Sequence, residues 1–459
     1  MQAVETVWDL LTWSYLTRWQ ATLPPQVDGT TVRYRISAWN AEHELFADYP
    51  DARRTVERAA SAYFSKKTEP TLAATEPAGD PHGMTFAYRV DTYRAPEWAK
   101  QMVMYHLLID RFYPGGGRGW TQTSNLRAFC GGTLWGAAEK LDHIARLGCD
   151  AIWLSPPWES PTHHGYDVAD YAQIMARYGG NEALRHFIRQ AHDRGIRVVL
   201  DLVCNHISNQ SPIFQEALHN PSSPYRSWFS FDDSPVGYRT FFGVATMPQV
   251  NLADEGAKQW MLDTARRWIH EFGADGYRLD YAMGVAPSFW WEFRAACREA
   301  NPESFIFGEI IEAPNVMRSY EGKLDGTLDF LAAQALRQVY GWKTLEPAHL
   351  AQRFASHRDY FHADFVLPTF LDNHDMDRFL YIAGGDVEAL KAAAQAQFAL
   401  PGPPILYYGT EVGLSQAEGV SSAIGLDASR MPMIWDDDQN RDVLDFYRAL
   451  IQERRSRQG

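Results

Sequence analysis

Four short apolar segments of the sequence end in acidic residues that could perform acid–base chemistry. They supply Asp201, Asp280, Glu309 and Asp375. Arg278 and Asp280 stand two positions apart, so on a β-strand both side chains point to the same face. A neighbouring guanidinium favours the ionised carboxylate. This environment suits Asp280 to act as a nucleophile.

Glu309 has a different sequence environment. It follows the apolar run Phe305–Gly308, where loss of water and neighbouring carboxylates would raise its pKa and keep it protonated, as a general acid requires. One ionised and one protonated carboxyl group about 5 to 5.5 Å apart form the arrangement for glycoside cleavage with retention of configuration. Asp375 is the third carboxylate and is predicted to bind sugar hydroxyls. A single acid at a strand end is often structural, but four such clusters together favour a catalytic site.

The elements that would position these residues alternate between strand and helix patterns. Short apolar runs are followed by amphipathic stretches that end in glycine, as in repeated βα units. Asn181, for example, is predicted to cap a helix that Gly195 ends. The acidic clusters lie at the C-terminal ends of strands, where barrel enzymes carry their reactive groups. The predicted strands are 103–109, 151–154, 197–203, 276–279, 305–308, 325–328, 365–370 and 405–408.

This alternation predicts an α/β fold, a (β/α)8 TIM barrel. Residues 1–95 alternate apolar and polar residues, for instance around Val32 and Tyr88, and are predicted to form an N-terminal β-sandwich-like segment with too few strands for a complete sandwich. Within it, 67–83 lacks periodicity and is predicted to be a mobile loop. Residues 96–459 form the catalytic barrel, with 207–252 as inserted domain B after strand 3, because so long a connection is usually functional or a small domain. After the last helix no C-terminal β-sandwich is expected.

Composition excludes several classes of function. The 43 basic and 57 acidic residues give a formal net charge of −14, and a negative surface repels nucleic acid. No apolar run is long enough to span a bilayer, and the N-terminus has no secretory signal pattern. The four cysteines lack metal-site spacing and are predicted to be buried thiols of a reducing compartment. We therefore expect a cytoplasmic protein with no nucleic-acid or membrane partner.

Several motifs resemble the signature regions of the α-amylase superfamily. The four main regions are Asp201-Leu-Val-Cys-Asn205-His206, Gly276-Tyr277-Arg278-Leu279-Asp280, Gly308-Glu309 and Asn373-His374-Asp375, in that order along the chain. Further landmarks of the family are similar to Asp110-Arg111-Phe112, Gly131-Gly132-Thr133-Leu134, His164-Gly165-Tyr166-Asp167-Val168 and Tyr407-Tyr408-Gly409-Thr410-Glu411. The likeness extends from residue 98 to residue 455.

This resemblance implies a role for each candidate residue and implies no cofactor. Asp280 would be the nucleophile, Glu309 the general acid and base, and Asp375 the transition-state stabiliser. Tyr166 would stack under the sugar in the cleavage subsite. Three further residues would hydrogen-bond to sugar hydroxyls or to the nucleophile, and these are His206, Arg278 and His374.

Residues 247–251, 430–435 and 438–441 are similar to the corresponding stretches of the neopullulanase, cyclomaltodextrinase and maltogenic amylase group. Its members cleave α-1,4 and sometimes α-1,6 bonds in maltooligosaccharides, cyclodextrins or pullulan. The resemblance thus implies an α-glucan oligosaccharide as substrate and leaves a homodimer open. The same covalent intermediate could serve a transglycosylase or isomerase, since only the attacking acceptor differs. A catalytically silent glucan-binding scaffold is the other alternative.

The chain also departs from the family pattern. Tyr281-Ala-Met-Gly284 stands where typical α-amylases have a Lys-His pair that binds substrate and calcium. The loop 113–118 lacks the Asp and Asn ligands with which some relatives hold calcium, so no metal is expected. Ile311 replaces a tryptophan that lines the acceptor side in many relatives. The acid at Asp427 lies one place out of register, so no sugar contact is assigned to it.

Overall fold

A computed structural model describes residues 1–9, 14–39, 44–47, 86–90, 93–121 and 123–458. The chain divides into two compact units, Met1–Thr92 and Tyr93–Gly459. Each unit is described by itself.

The first unit contains short antiparallel strand pairs. Gln2–Asp9 pairs with Ser14–Gln20, Thr31–Tyr34 with Phe86–Arg89, and Ser37–Trp39 with Glu44–Phe46. Val32 faces Tyr88 across the second pair, which confirms the strands predicted from the alternation around these two residues. The predicted loop 67–83 lies outside the described residues.

A curled parallel sheet forms the centre of the second unit. In spatial order its strands are Gly326–Thr327, Phe305–Gly308, Gly276–Asp280, Arg197–Val203, Ala151–Leu154, Met104–Leu107 and Ile405–Tyr407. The strand predicted at 365–370 is reduced to two parallel bridges, from Val366 to Gly326 and from Thr369 to Pro404. Pro368 lies between the bridging residues and has no N–H for a regular ladder. Because the bridges reach both edge strands of the sheet, the arrangement is consistent with a (β/α)8 barrel.

Helices cover the outside of this sheet, and their apolar stripes agree with the sequence pattern. In the helix Gly180–His192 the buried residues include Leu184, Phe187 and Ile188. The prediction that Asn181 caps this helix was wrong, because the side chain of Asn181 accepts from the backbone N–H of Ile174 instead. The α-helices are Glu97–Gln101, Ile109–Phe112, Leu134–Glu139, Leu141–Leu147, Gly180–His192, Pro212–His219, Glu255–His270, Pro287–Ala300, Pro314–Arg318, Phe330–Leu336, Ala348–Tyr360, Phe379–Ile382, Val387–Phe398 and Arg441–Gln458, and a π-helix spans Arg337–Gly341.

An apolar floor fills the barrel below the predicted acids. Val199 precedes Asp201 by two positions on its strand, and Phe307 precedes Glu309 in the same way, so the apolar and acidic side chains share the inner face. Trp153 packs edge-on against Phe307, with ring centroids 6.2 Å apart. The acids therefore lie at the C-terminal mouth of the barrel, directly above a layer of packed apolar side chains.

Residues 207–252 form an irregular segment after the strand Arg197–Val203. It contains the helix Pro212–His219 and isolated antiparallel bridges, among them His206 to Gln249 and Thr240 to Pro248. The bridge from His206 to Gln249 holds the C-terminal part of the segment close to the strand end. In the described ranges all four cysteines are buried thiols, as predicted, and no helix is both long enough and apolar enough to cross a membrane.

The strand Gly276–Asp280 approaches its neighbour closely at its first residue. A Cβ atom at Gly276 would lie 1.9 Å from the carbonyl oxygen of Phe305, and Gly276 has a φ of +151°. Gly276→Ala is therefore expected to destabilise the barrel by about 3 kcal/mol, because the backbone must move. Urea unfolding measures this, with Gly119→Ala as the control, since a Cβ there meets nothing within 4 Å. Equal stability of the two variants would contradict the packing.

Candidate active site

Arg278 brings the acids of three strands together at the barrel mouth. Its guanidinium is fully buried, and Nη1 donates to Asp201 Oδ1 and to Asp280 Oδ1, each at 2.9 Å. Its Nη2 lies 2.9 Å from Glu309 Oε2. The structure thus joins the predicted nucleophile and the predicted general acid through one side chain.

The strand register explains why these side chains meet. Asp201 is the register partner of Arg278 in the adjacent parallel strand, so both point to the same face. Asp280 is two positions further on that face, at the strand end. Leu279 pairs with Gly308, which places Glu309 one step beyond at the same height as Asp280.

Asp201 is the most heavily bonded acid of the site. It is fully buried and accepts from Trp153 Nε1 at 2.8 Å and from the Tyr166 hydroxyl at 2.7 Å, in addition to Arg278. A buried carboxylate is tolerated when its oxygens are bonded in this way. Asp201 consequently fixes the positions of Arg278 and of the Tyr166 ring.

Tyr166 and His374 lie face to face beside this group. Their rings are stacked with centroids 4.8 Å apart and an interplanar angle of 3°. His374 Nε2 is 3.0 Å from Asp375 Oδ2, which connects the third predicted carboxylate to the same set. The side chain of Asp375 is one-third exposed. All seven candidate residues therefore converge on one mouth, and sugar stacking on Tyr166 stays a prediction.

Burial has a larger effect on Asp280 than the sequence indicated. It raises the pKa of Asp280 well above the ordinary aspartate range, and the charges of Glu309, Asp201 and Asp375 raise it further. Arg278 lowers the pKa, which confirms the predicted direction of its influence. The nucleophilic form of Asp280 thus depends on the guanidinium beside it.

Arg430 is a functional candidate that the strand-end search missed. Nη2 donates to Asp375 Oδ1 at 2.9 Å, Nε donates to the carbonyl oxygen of His374 at 2.9 Å, and Nη1 donates to Asp427 Oδ1 at 3.2 Å. His163 Nε2 lies 3.0 Å from the same Asp427 oxygen. Arg430 comes from a loop after the last strand, where spacing along a strand carries no signal. Its position at the start of the stretch 430–435, which resembles the family, was the signal that the sequence offered.

These contacts control the ionisation of two carboxylates. Burial works to raise the pKa of Asp375, but His374 and Arg430 outweigh it and hold that pKa well below the usual range. For Asp427, burial also raises the pKa, yet the bond from His163 and the charge of Arg430 lower it to about 2. Both side chains are therefore ionised at neutral pH.

The ring nitrogens of His206 make two contacts with neighbouring protein groups. Nε2 donates to the carbonyl oxygen of Tyr166 at 3.0 Å, since a carbonyl can only accept, and Nδ1 lies 3.2 Å from Asn205 Nδ2. Burial lowers the pKa of His206 to about 4, with the bond to the Tyr166 carbonyl opposing it, so the ring is neutral. His206 thus supports Tyr166, and its contact with a sugar stays a prediction.

The described residues contain no group of three or more His, Cys, Asp or Glu side chains arranged to hold a metal ion.

Comparison with known families identifies the barrel, because residues 106–443 match the alpha amylase catalytic domain. The chain belongs to this family.

Several individual proteins of known sequence or structure are similar to this chain. The chain is 38% identical over 370 residues to alpha-amylase 2 of Dictyoglomus thermophilum, covering 80% of this chain and 65% of that protein. It is 33% identical over 385 residues to a cyclomaltodextrinase of Geobacillus thermopakistaniensis, covering 80% and 64%. A solved cyclic α-maltosyl-(1→6)-maltose hydrolase of Arthrobacter globiformis superposes with a TM-score of 0.73 at 30% identity, covering 79% of this chain and 84% of that one. The chain thus spans slightly less than two thirds of the two curated relatives.

Asp201→Asn is expected to lower the free energy of unfolding by about 3 to 5 kcal/mol, because Arg278 loses a fully buried charged partner. Urea unfolding at pH 7 measures the change. Asp437→Asn is the control, since the Asp437 side chain is 98% exposed, and it should alter stability by no more than about 0.5 kcal/mol. If the two variants were equally stable, Asp201 would not hold the site together.

Proposed function

We propose that the protein is a retaining glycoside hydrolase that cleaves α-1,4-glucosidic bonds in maltooligosaccharides, cyclodextrins or pullulan. The observation that carries this proposal is the ion-paired set in which Arg278 bridges Asp280 and Glu309. Two carboxylates on neighbouring nitrogens of one guanidinium face each other across a short gap, as a double-displacement reaction needs. The relatives named as a cyclomaltodextrinase and as a hydrolase of a cyclic maltoside support the substrate class.

The reaction proceeds in two displacements. The carboxylate of Asp280 attacks the anomeric carbon while Glu309 gives its proton to the departing glycosidic oxygen. Glu309, now ionised, then takes a proton from water, whose oxygen attacks the same carbon and releases Asp280. Asp375 binds sugar hydroxyls, and its ionised form is maintained by Arg430 and His374.

The same proposal includes the domain organisation. Residues 1–95 serve as an N-terminal β-sandwich-like segment, 96–459 as the catalytic barrel, and 207–252 as an inserted domain beside the site. The bridge from His206 to Gln249 supports the last assignment, because it joins the inserted segment to a residue next to Tyr166.

The four buried thiols support a reducing, cytoplasmic location. An α-glucan oligosaccharide is the proposed partner, and α-1,6 cleavage and a homodimer stay open.

A silent glucan-binding scaffold is less well supported than an enzyme. Such a protein needs no pair of buried acids at the barrel mouth, yet Asp280 and Glu309 are both nearly buried and both paired to Arg278. Burying two acids costs free energy even when they are ion-paired, and buried acids in a cleft are typical of catalytic sites.

The test uses the purified full chain with maltotriose, γ-cyclodextrin, pullulan and soluble starch, with and without a chelator. We expect maltose and glucose from the small substrates, at a rate that the chelator does not change. Nuclear magnetic resonance should show that the products are first formed as α-anomers.

Asp280→Asn should reduce turnover by about a thousandfold or more while the fold is retained. Asp437→Asn, on the exposed surface, is the matched control and should retain full turnover. First-formed β-anomers would contradict retention. Turnover that persists in Asp280→Asn would contradict the role of that residue, and no turnover by a folded native chain would favour the scaffold.

A further inference from the structure

His163 is a buried histidine that the proposed reaction does not use. Only 2% of its side chain is exposed, and its Nε2 lies 3.0 Å from Asp427 Oδ1. Because the partner is an ionised carboxylate, which can only accept, Nε2 carries a proton and donates it to this bond. Arg430 Nη1 donates to the same oxygen at 3.2 Å. Two donors from distant parts of the chain therefore share one oxygen of Asp427.

The position of His163 does not depend on this bond. Its carbonyl oxygen accepts from the hydroxyl of the buried Tyr178 at 2.8 Å. Phe129 packs edge-on against its ring, with centroids 6.4 Å apart. Asp427, in contrast, lies in the short 3-10 turn Gly425–Ser429. A ring that is held by other contacts thus fixes the side chain of a residue in a loop.

The imidazole of His163 is neutral. Burial lowers its pKa, and this effect outweighs the bond to Asp427, which raises it. The charges of Arg111 and Arg430 lower the pKa further. A neutral donor stabilises the carboxylate of Asp427 without repelling the guanidinium that bonds to the same oxygen. His163 therefore contributes a hydrogen bond to this group and no charge.

Arg430 lies between two carboxylates that compete for it. Its Nη1 is 3.2 Å from Asp427 Oδ1, and its Nη2 is 2.9 Å from Asp375 Oδ1. The bond from His163 satisfies part of the hydrogen-bonding capacity of Asp427, so the guanidinium can remain on Asp375. Without that bond, the carboxylate of Asp427 would draw Arg430 closer to itself and away from Asp375.

We propose that His163 is a positioning residue for Asp375. It acts through two intermediate side chains. Its bond holds Asp427 in place, and Arg430 in turn stays bonded to the carboxylate that binds the sugar. This inference rests on the proposed function, because it deepens the role assigned to Asp375 there.

A purely structural role for His163 makes a different prediction. If the ring only filled space beside Phe129, a phenylalanine of similar size would serve equally well. Within the part of the chain that the structure describes, Nδ1 of His163 has no hydrogen-bond partner, and leaving such an atom buried costs free energy that a phenylalanine avoids. If His163 acts through its bond, the same substitution impairs the reaction, and the impairment depends on the charge of Asp427.

The experiment measures maltotriose hydrolysis by the full chain and its variants, with circular dichroism to confirm the fold. His163→Phe keeps a ring and removes the donor. We expect kcat to fall about tenfold, as for the loss of one hydrogen bond to a charged group, with KM changed by less than about twofold, because the grip on the sugar matters most in the transition state. His163→Leu also lacks the donor and should show the same loss. His163→Gln presents an amide N–H to the same oxygen and should restore kcat.

The decisive variant combines His163→Phe with Asp427→Asn. An uncharged amide does not compete for Arg430, so the double variant should regain kcat to within about twofold of Asp427→Asn alone. Asp427→Asn alone should keep kcat within about twofold of the native value, since the bond from Arg430 to Asp375 remains.

His192→Phe is the matched control. His192 Nε2 bonds to Asp275 Oδ2 at 2.7 Å, directly before the strand Gly276–Asp280 and so at the opposite end of the barrel from the mouth. This variant should leave kcat unchanged.

An unchanged kcat in a folded His163→Phe or His163→Leu, or a double variant as impaired as His163→Phe, would overturn the positioning role. A large loss of kcat in Asp427→Asn alone would make Asp427 a direct sugar ligand and would also overturn it. Failure of the folded native chain to hydrolyse maltotriose would instead overturn the proposed function.

Discussion

The buried guanidinium of Arg278 is the interaction on which the site depends. A lone charge in the dry mouth of a barrel would cost several kcal/mol, and three carboxylates around Arg278 offset that cost. The same contacts set the distance between Asp280 and Glu309 and lower the pKa of Asp280, which burial raises. Arg278 therefore both positions the two acids and lowers the pKa of Asp280, and its ion pair with Asp201 fixes its own position.

A second arginine organises the other side of the mouth in a similar way. Arg430 bonds to Asp375, to Asp427 and to the backbone of His374, and it keeps Asp375 ionised. The ring of His374 stacks on Tyr166, whose hydroxyl returns to Asp201. The two arginines are thus connected through a continuous set of bonds and ring contacts.

Much of this could be predicted from the sequence, because strand ends carry a local pattern. The strands that hold Asp201, Asp280 and Glu309 appeared at or within one residue of their predicted bounds. Arg430 was not found, since a loop brings it to the mouth from a distant part of the chain. The sequence also could not show how strongly burial raises the pKa of Asp280, because this effect depends on the packing of the barrel around it. Local spacing predicts which face a side chain takes, and only the tertiary structure shows what surrounds it.

The most direct test of this account is identification of the covalent intermediate. The protein is incubated with a 5-fluoro-α-maltosyl fluoride, which slows the second displacement, and then digested and sequenced by tandem mass spectrometry. The account predicts one 5-fluoromaltosyl group per chain, attached to Asp280. Attachment at Glu309 or Asp375, or turnover without any attached sugar and with inverted product, would contradict it.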